Sequence, residues 1–485
     1  MSIDLQWFRT TGEAPRIGAA PGVSFWSSIP ERLRRRMSGG DYRAEIDGLR
    51  FFAIAIVVVG HFGERAVRFF PSAEAAAGEH PLIGSLLQRP GLGVSLFFAI
   101  SGFIIATQAM KAKHGPLSAK FLRAYFSRRV LRIEPPYLIL LVATWVLLTL
   151  SGYTPEGTRQ FEKGPELLTV SLLSSVFYLH DLLWGAFPRL FPPGWSLEVE
   201  VQFYLLAPLL FWAYFGLRVG LPRLLFGSSL LVAGASLAVF APKQLGPASI
   251  DYSILRYFHF FWLGIMLADL QDWMAAKTLR VSPAAIGLLG WSAFLCYVVI
   301  PTAPLDPATT REAILALLVR VASLTTIAAM FFCIFGPRSS FKSFCANPWV
   351  SLVGGACYSI YLTHLQIIQV LTTMIARRAP DSALSTILVY AGVEIVAVVA
   401  IGLVFYALIE RTFMIANWPR PVLDWIAKRG RIAREHAMKF KRSVRLGAPP
   451  FPKGGFNPAK PRRARGVRAE KAAPIPTDEP KRGEL

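Results

Sequence analysis

Ten apolar segments, each long enough to cross a lipid bilayer, constrain the fold of this chain more than any other feature. A membrane-spanning helix needs about 20 predominantly apolar residues, because the hydrocarbon core is ~30 Å thick and each residue adds ~1.5 Å. The segments are 48–67, 91–110, 131–151, 196–216, 221–241, 254–271, 282–301, 313–336, 348–375 and 384–410. The sequence therefore predicts an all-α, polytopic integral membrane protein with about ten transmembrane helices.

Basic residues in the connecting loops predict the orientation of these helices, since cytoplasmic loops are enriched in lysine and arginine. Loop 111–130 has six basic residues and no acidic one, and loops 217–223, 272–281 and 337–347 also carry basic residues. The alternate loops are mixed or neutral, apart from 376–383 with its two arginines. This pattern predicts that both termini are cytoplasmic, in a multi-pass protein of the cell inner membrane.

The shorter apolar run 167–185 is interrupted by His180 and Asp181. Counting it as a span would place the strongly basic C-terminal tail outside the cell, against the loop-charge rule. We therefore expect a re-entrant or interfacial segment here.

Both ends of the chain are expected to be cytoplasmic and basic, with residues 1–46 forming an N-terminal arm and 411–485 a tail around the membrane domain at 47–410. The first apolar run begins near residue 48, too late for a secretory signal peptide. The formal net charge of +22 is concentrated in the ends and a few loops, so anionic membrane lipids are the expected partner and nucleic acid is not. Residues 428–445 are expected to form an amphipathic surface helix, and the Pro-rich remainder to be disordered.

The four cysteines form no CxxC pattern, and most lie in or beside apolar runs. Cysteine usually behaves as a small buried apolar residue. We therefore expect neither a disulfide framework nor a metal site.

Two polar residues bracket the first apolar segment, Arg50 and His61, eleven positions apart. In a helix they lie ~20° from the same line and ~16 Å apart along the axis. Ionisable residues inside membranes are costly and usually face the bundle interior. Each also has a plainer interpretation, with Arg50 as an anchor to the headgroups and His61 as an interfacial histidine.

Glu200 and His364 are the other candidate catalytic groups. With the predicted topology, Glu200 lies about one turn below the outer end of the fourth span, and His364 lies ~24 Å along a helix that begins near residue 348. Both depths are similar to that of His61, so we expect the three to converge. A carboxylate beside an imidazole can orient it as a general base, although a structural ion pair is the alternative for Glu200.

An arginine cluster and a stripe of small residues complete the polar features of the membrane domain. Arg128, Arg129 and Arg132 lie at the cytoplasmic start of the third span. They are either a phosphate clamp or an instance of the loop-charge bias. For Gly93, Ser101 and Gly102 in the second span, close helix packing is the favoured interpretation.

Several motifs together resemble membrane acyltransferase family 3, the integral-membrane O-acyltransferases that modify surface polysaccharides and related molecules. In chain order they are YRAEIDGLRFFAIAIVVVGHF, GVSLFFAISGFIIA, SRRVLRIEPPY, WSLEVEVQFYLLAP, YSIYLTHL and LIERTF, which cover about residues 42–413. Three positions depart from the family pattern, since Ser95 and Val201 stand where acidic residues are frequent and Glu198 where serine is frequent. We therefore identify Glu200, and not position 201, with the acidic residue of the family's motif.

The resemblance implies transfer of an acyl group, with acetyl as the default, from cytoplasmic acyl-CoA to a hydroxyl of a carbohydrate or glycolipid at the outer side. It implies no permanently bound cofactor. His61 is then the general base or a transient acyl carrier, Glu200 orients it, and His364 positions a substrate. Arg50 with Arg128, Arg129 and Arg132 is expected to bind the CoA, and the motif residues Trp195 and Ser196 are further candidates for substrate binding. An extended pantetheine arm is about as long as the separation of Arg50 and His61.

Two other classes of function also fit the residues. A transporter of a surface-polymer precursor or a small anionic solute would also carry intramembrane Arg, His and Glu, but usually shows matching halves, which this sequence lacks. A membrane-anchored scaffold would use the basic tail to bind lipid or nucleic acid.

Overall fold

The computed structural model describes residues 25–34, 42–112, 115–153, 167–241, 244–245, 248–275, 281–301 and 307–414. This part of the chain is almost entirely helical, which confirms the all-α prediction. Its only strands are β1 (Gln244–Leu245) and β2 (Ala248–Ser249), which pair antiparallel. Most of the N-terminal arm and nearly all of the tail, including 428–445, lie outside the described residues, so those predictions stay predictions.

Eighteen helices follow one another along the described chain. Their bounds are α1 Phe25–Leu33, α2 Ala44–Phe69, α3 Pro71–Glu79, α4 Pro81–Leu86, α5 Pro90–Met110, α6 Ala119–Ser151, α7 Leu168–Val176, α8 His180–Trp184, α9 Trp195–Phe215, α10 Leu221–Phe240, α11 Ile254–Ala275, α12 Pro283–Val299, α13 Thr310–Phe335, α14 Ser340–Cys345, α15 Pro348–Gly355, α16 Cys357–Arg378, α17 Leu384–Phe405 and α18 Arg411–Phe413. A 3₁₀ turn at Pro192–Gly194 precedes α9, and a π-helical turn at Tyr406–Glu410 follows α17.

Seven helices in the described chain are long and apolar enough to cross a membrane: α2, α5, α6, α10, α13, α16 and the last one, which runs from α17 through α18. The protein is therefore a multi-pass membrane protein. The remaining three predicted spans are also helical, with α9 and α11 of 21 and 22 residues and the apolar α12 of 17 residues. The total of ten spans stays a prediction.

The predicted span 348–375 is wrong as a single helix, because α15 ends at Gly355 and α16 begins at Cys357. Two adjacent glycines end α15, and glycine is a poor helix former. Gly354 is also needed for packing, since a Cβ there would lie 1.7 Å from the carbonyl oxygen of Asp47 in α2. His364 therefore lies only seven residues into α16, ~10 Å along it, and not ~24 Å along one straight helix.

The segment 167–185 forms the two short helices α7 and α8, separated by Tyr178 with φ at 58°. A nine-residue helix is ~14 Å long, less than half the thickness of the hydrocarbon core. The segment is thus no full span, as its polar interruption predicts.

Helix α2 lies at the centre of the bundle, where it packs against α5, α15 and α16. Glycines allow the backbones to approach closely: a Cβ on Gly93 would lie 2.3 Å from the Ala53 carbonyl oxygen in α2, and one on Gly102 would lie 2.1 Å from the Phe261 carbonyl oxygen in α11. The predicted packing role of both glycines is confirmed. The Gly93 contact fixes the depth of α5 relative to α2, and the Gly102 contact fixes its depth relative to α11.

No disulfide joins any of the four cysteines, all of which lie in the described part of the chain. Three of them are buried, at positions 333, 345 and 357, and Cys296 is exposed.

Candidate active site

Arg50 faces the interior of the bundle, with 5% of its surface exposed. Its Nη1 donates to Asp47 Oδ1 at 2.6 Å, one turn earlier on α2. A guanidinium so enclosed does not reach the headgroups, so the anchor interpretation is wrong. The predicted inward face of α2 is confirmed at this position.

A pocket lies beside Arg50, between α2, α5, α6, α9 and α16, and encloses about 730 Å³ including its mouth. Three arginines and one glutamate line it, namely Arg50, Arg129, Arg132 and Glu200. Ser196 and the aromatic residues Phe97, Phe98, Tyr204, Tyr358 and Tyr361 form much of the rest of the wall. The pocket thus combines an apolar wall with an excess of positive charge.

Two of the three clustered arginines of α6 line the pocket, and the third lies at the surface. Arg129 is buried and donates to Gln108 Oε1 at 2.5 Å, while Arg132, one turn later, also faces the pocket. Arg128 is exposed and does not line the pocket, because one residue turns a helix by ~100°. Arg50, Arg129 and Arg132 therefore meet at one pocket, and the predicted role of these three and of Arg128 in CoA binding stays a prediction.

Arg132 interacts electrostatically with two carboxylates, Glu410 and Glu200. Glu410 is fully buried in the π-helical turn, where it accepts hydrogen bonds from the backbone N–H of Ser359 at 3.2 Å and from its Oγ at 2.5 Å. The extra residue of a π-turn redirects the side chains that follow it, and such turns are frequent at functional sites. Glu410 thus connects the end of the membrane domain to the pocket.

Glu200 lies in the pocket and not beside His61, so the expected pairing of the two is wrong. Its carboxylate accepts hydrogen bonds from Ser101 at 2.5 Å and from the Tyr204 hydroxyl. Ser101, for which helix packing was the favoured interpretation, is therefore also a polar contact of the site.

The packing of α5 on α2 explains the unexpected depth of Glu200. The helices run antiparallel, because Gly60 abuts Pro90 while Gly93 abuts Ala53. Ser101 lies eight residues beyond Gly93, ~12 Å further towards the Arg50 end of α2. Because Glu200 accepts a hydrogen bond from Ser101, it also lies near the Arg50 end of α2.

His61 and His364 come together as predicted, with ring centroids 5.2 Å apart. His61 Nδ1 lies 2.8 Å from Glu64 Oε2, and His364 Nδ1 lies 2.6 Å from the Tyr361 carbonyl oxygen. A carboxylate and a carbonyl oxygen accept hydrogen bonds, so the neutral tautomer that suits both partners has its proton on Nδ1 and leaves Nε2 to act as a base. His364 Nε2 is shielded from solvent and has no hydrogen-bond partner in the described part of the chain.

Tyr361 lies between the pocket and the two histidines. Its side chain lines the pocket, and its ring centroid is 5.4 Å from that of His364. Its hydroxyl lies 2.7 Å from Ser196 Oγ and donates to the Pro193 carbonyl oxygen at 2.9 Å. Ser196 thereby fixes the side chain that divides the two parts of the site.

Trp195 is half-buried and does not line the pocket. It packs against Tyr252 and Tyr257, with ring centroids 5.0 and 5.2 Å away, and against Phe98 of the pocket wall at 6.4 Å. Its predicted role in substrate binding stays a prediction.

Glu198 is buried and accepts backbone N–H hydrogen bonds from His180 at 3.2 Å and Asp181 at 2.9 Å. A carboxylate at the first amides of a helix satisfies donors that lack a partner within the helix. Glu198 thus holds α8 against the start of α9, which fixes the depth at which Glu200 enters the bundle.

Sequence reasoning missed Glu64, Tyr361 and Glu410 as contacts of the site. Glu64 has a usable signal, since it follows His61 by three residues and therefore lies on the same helical face. The other two had weaker signals, because their partners come from distant parts of the chain. No group of three or more His, Cys, Asp or Glu residues suited to a metal ion occurs among the described residues.

A family model described as "Acyltransferase domain" matches residues 43–407. The chain is 23% identical over 451 residues to "Regulator of hypoxia-inducible factor 1" of Caenorhabditis elegans, a match that covers 81% of this chain and 84% of that protein. No solved structure matches the chain.

Two bacterial relatives have names that state a reaction. The putative peptidoglycan O-acetyltransferase YrhL of Bacillus subtilis is 24% identical over 350 residues, covering 67% of this chain and 49% of the relative. The peptidoglycan O-acetyltransferase OatA of Listeria monocytogenes is 24% identical over 352 residues, covering 70% and 51%. The chain thus spans about half the length of these two relatives.

Proposed function

The chain belongs to the acyltransferase family whose model covers residues 43–407, and from this premise we propose that it moves an acyl group from cytoplasmic acyl-CoA to a hydroxyl of a carbohydrate or glycolipid. The expected acyl group is acetyl, and the acceptor is reached at the outer side of the inner membrane. The peptidoglycan O-acetyltransferases among its relatives support a carbohydrate acceptor. We further propose that both ends of the chain are cytoplasmic and that the basic tail binds anionic lipids.

The pocket is the proposed donor site, and its charge is the single observation that carries the proposal. Three guanidinium groups face one carboxylate there. Guanidinium groups form paired, charge-assisted hydrogen bonds with phosphate oxygens, so a phosphate-bearing donor such as CoA suits this lining.

Glu200 serves this donor site and not the base. Its hydrogen bonds to Ser101 and Tyr204 join α5 to α9 across the pocket. The carboxylate also balances part of the arginine charge, which keeps the empty pocket stable between donor molecules.

The two histidines form the proposed reaction centre, ~16 Å from Arg50 along α2, where the thioester of an extended donor arrives. His61 Nε2 takes the proton from the acceptor hydroxyl as its oxygen attacks the thioester carbonyl carbon. The C–S bond then breaks, and the CoA sulfur leaves and takes a proton from the imidazolium. Glu64 stabilises that imidazolium, and the vacant Nε2 of His364 accepts a hydrogen bond from the acceptor.

The test uses the purified full-length chain in proteoliposomes, with [¹⁴C]acetyl-CoA as donor and a peptidoglycan or polysaccharide fraction as acceptor. We expect radiolabel in an alkali-labile ester on the acceptor, with loss of ~10²–10⁴-fold in rate for His61→Ala. His80→Ala, at an exposed histidine before α4, is the matched control and keeps the activity. Full activity of His61→Ala would overturn the mechanism, and solute uptake without ester formation would favour a transporter.

A further inference from the structure

Arg65 follows His61 by one helical turn and lies ~40° from it around α2. No hydrogen bond or ion pair to Arg65 occurs within the described residues, and its Nε is shielded from solvent. The side chain is half-buried. A shielded guanidinium nitrogen without a partner is costly, so Arg65 needs an explanation beyond packing.

The charges around Arg65 leave its guanidinium available for a ligand. It interacts electrostatically with Glu64, Arg68 and His364. The carboxylate of Glu64 makes its hydrogen bond to His61, and the other two neighbours are the Arg68 guanidinium and the His364 ring, neither of which is a carboxylate. The immediate surroundings of the histidines therefore contain a guanidinium that makes no hydrogen bond to the described part of the chain.

The order of groups along α2 assigns Arg65 to the acceptor and not to the donor. The pocket begins at Arg50, Tyr361 closes it, and the two histidines follow. Arg65 lies a further four residues along, ~6 Å beyond His61 on the side away from the pocket. A donor that reaches the histidines from the pocket does not extend to Arg65, whereas an acceptor that approaches from the opposite side passes it.

We propose that Arg65 binds an anionic group of the acceptor, so that the preferred acceptor is a carbohydrate carrying a carboxylate or a phosphate near the acylated hydroxyl. This inference rests on the proposed acyltransferase function. A guanidinium suits either anion, because both present paired oxygens at the spacing of its N–H groups. The site then selects against neutral sugars, which leave the guanidinium without a partner.

The test compares three acceptors that differ only at C6: methyl β-glucoside, methyl β-glucuronide and methyl β-glucoside 6-phosphate. We measure acetyl transfer to each by the reconstituted full-length protein and express selectivity as the ratio of kcat/KM for each charged glycoside to that for the neutral one. We expect a ratio of about tenfold or more, the size of one charge-assisted hydrogen bond. The two charged glycosides distinguish a carboxylate from a phosphate site.

Substitutions then assign that selectivity to Arg65. Arg65→Gln should reduce the ratio to near one, and Arg65→Lys should retain part of it. Arg68→Gln is the matched control, an exposed arginine on the same helix whose loss should leave the ratio as in the wild type. Because the ratio is internal to each variant, a lower yield of folded protein does not change it.

The outcomes separate this inference from the proposed function. If the wild type hydrolyses acetyl-CoA but treats the three glycosides alike, whether it acylates all or none, Arg65 has no role in acceptor choice. A selectivity ratio that survives Arg65→Gln overturns the inference in the same way. If no acetyl-CoA is consumed under any condition, the proposed function itself fails.

Discussion

Removal of the negative charge at Glu64 should slow acyl transfer without weakening donor binding. In Glu64→Gln the amide oxygen still accepts the Nδ1–H of His61, so the tautomer and the ring orientation are retained. What is lost is the charge that stabilises the imidazolium formed in the transition state. Glu64 does not line the donor pocket, so KM for acetyl-CoA should stay near the wild-type value.

The size of this effect follows from the geometry of the pair. Hydrogen bonds to a charged group contribute ~1.5–3 kcal/mol and neutral ones ~0.5–1.5 kcal/mol. The contact is short, 2.8 Å, but the Glu64 side chain is 34% exposed and that of His61 is 18% exposed, which places the difference at the low end. A difference of about 1 kcal/mol lowers kcat about fivefold.

Glu64→Ala should be more harmful, because the orientation of the ring is lost as well, and a fall of roughly a hundredfold is expected. The assay is a single-turnover measurement of acetyl transfer by the reconstituted protein, with saturating donor. Glu79→Ala, at an exposed carboxylate near the end of α3, is the control. Wild-type turnover by Glu64→Ala would refute the argument that this carboxylate sets up the base.

Three further changes test other parts of the structure. Gly102→Ala places a methyl group 2.1 Å from a carbonyl oxygen of α11. It should lower the free energy of unfolding by ~1–3 kcal/mol, seen as a lower unfolding temperature of the detergent-solubilised protein. Gly91→Ala, where the added methyl group has nothing within 4 Å, should leave that temperature unchanged. Glu410→Gln removes a charge that interacts with Arg132 and should raise KM for acetyl-CoA several-fold at near-constant kcat. Burial raises the pKa of the Asp181 carboxyl, in the α7–α8 segment outside the spanning helices, to about 7 from an ordinary 3.8. The protonated form of Asp181 contributes stability that is fully present below pH 4 and is lost as the pH rises through 7. Asp181→Asn should therefore be more stable than the wild type at pH 8, by at most ~4 kcal/mol in the free energy of unfolding, and should unfold at a higher temperature. This difference should vanish at pH 4.

The sequence predicted the parts of this fold that depend on local composition. Apolar length and loop charge were sufficient to identify the helical segments and to exclude 167–185 as a span, because lipid imposes the same requirement on every helix. Helical periodicity was sufficient to predict that Arg50 faces the interior of the bundle. The meeting of His61 and His364 was also predicted, although the helix carrying His364 begins later than expected.

The predictions that failed depended on how one helix is placed along another. Glu200 was assigned to the depth of His61 because its helix was assumed to begin at the membrane surface. In the structure the short helices α7 and α8 precede α9, and Glu198 in the first turn of α9 accepts hydrogen bonds from the backbone of α8. The break before Cys357 likewise follows from the close approach of Gly354 to α2. Such contacts join residues that are far apart in the chain, so no local pattern reports them.

The failed assignment of Glu200 changes how the spacing of Arg50 and His61 should be understood. If Glu200 had lain beside His61 as expected, the histidines and this carboxylate would have formed a single cluster. Instead each end has its own: Glu200 stands among the arginines of the pocket, and Glu64 is bonded to His61. Two charged centres ~16 Å apart on one helical face, each with its own carboxylate and separated by the ring of Tyr361, suit a substrate that is held at one end and reacts at the other. Donor affinity and turnover are then set by different residues, which is why substitutions at the two ends should affect KM and kcat separately.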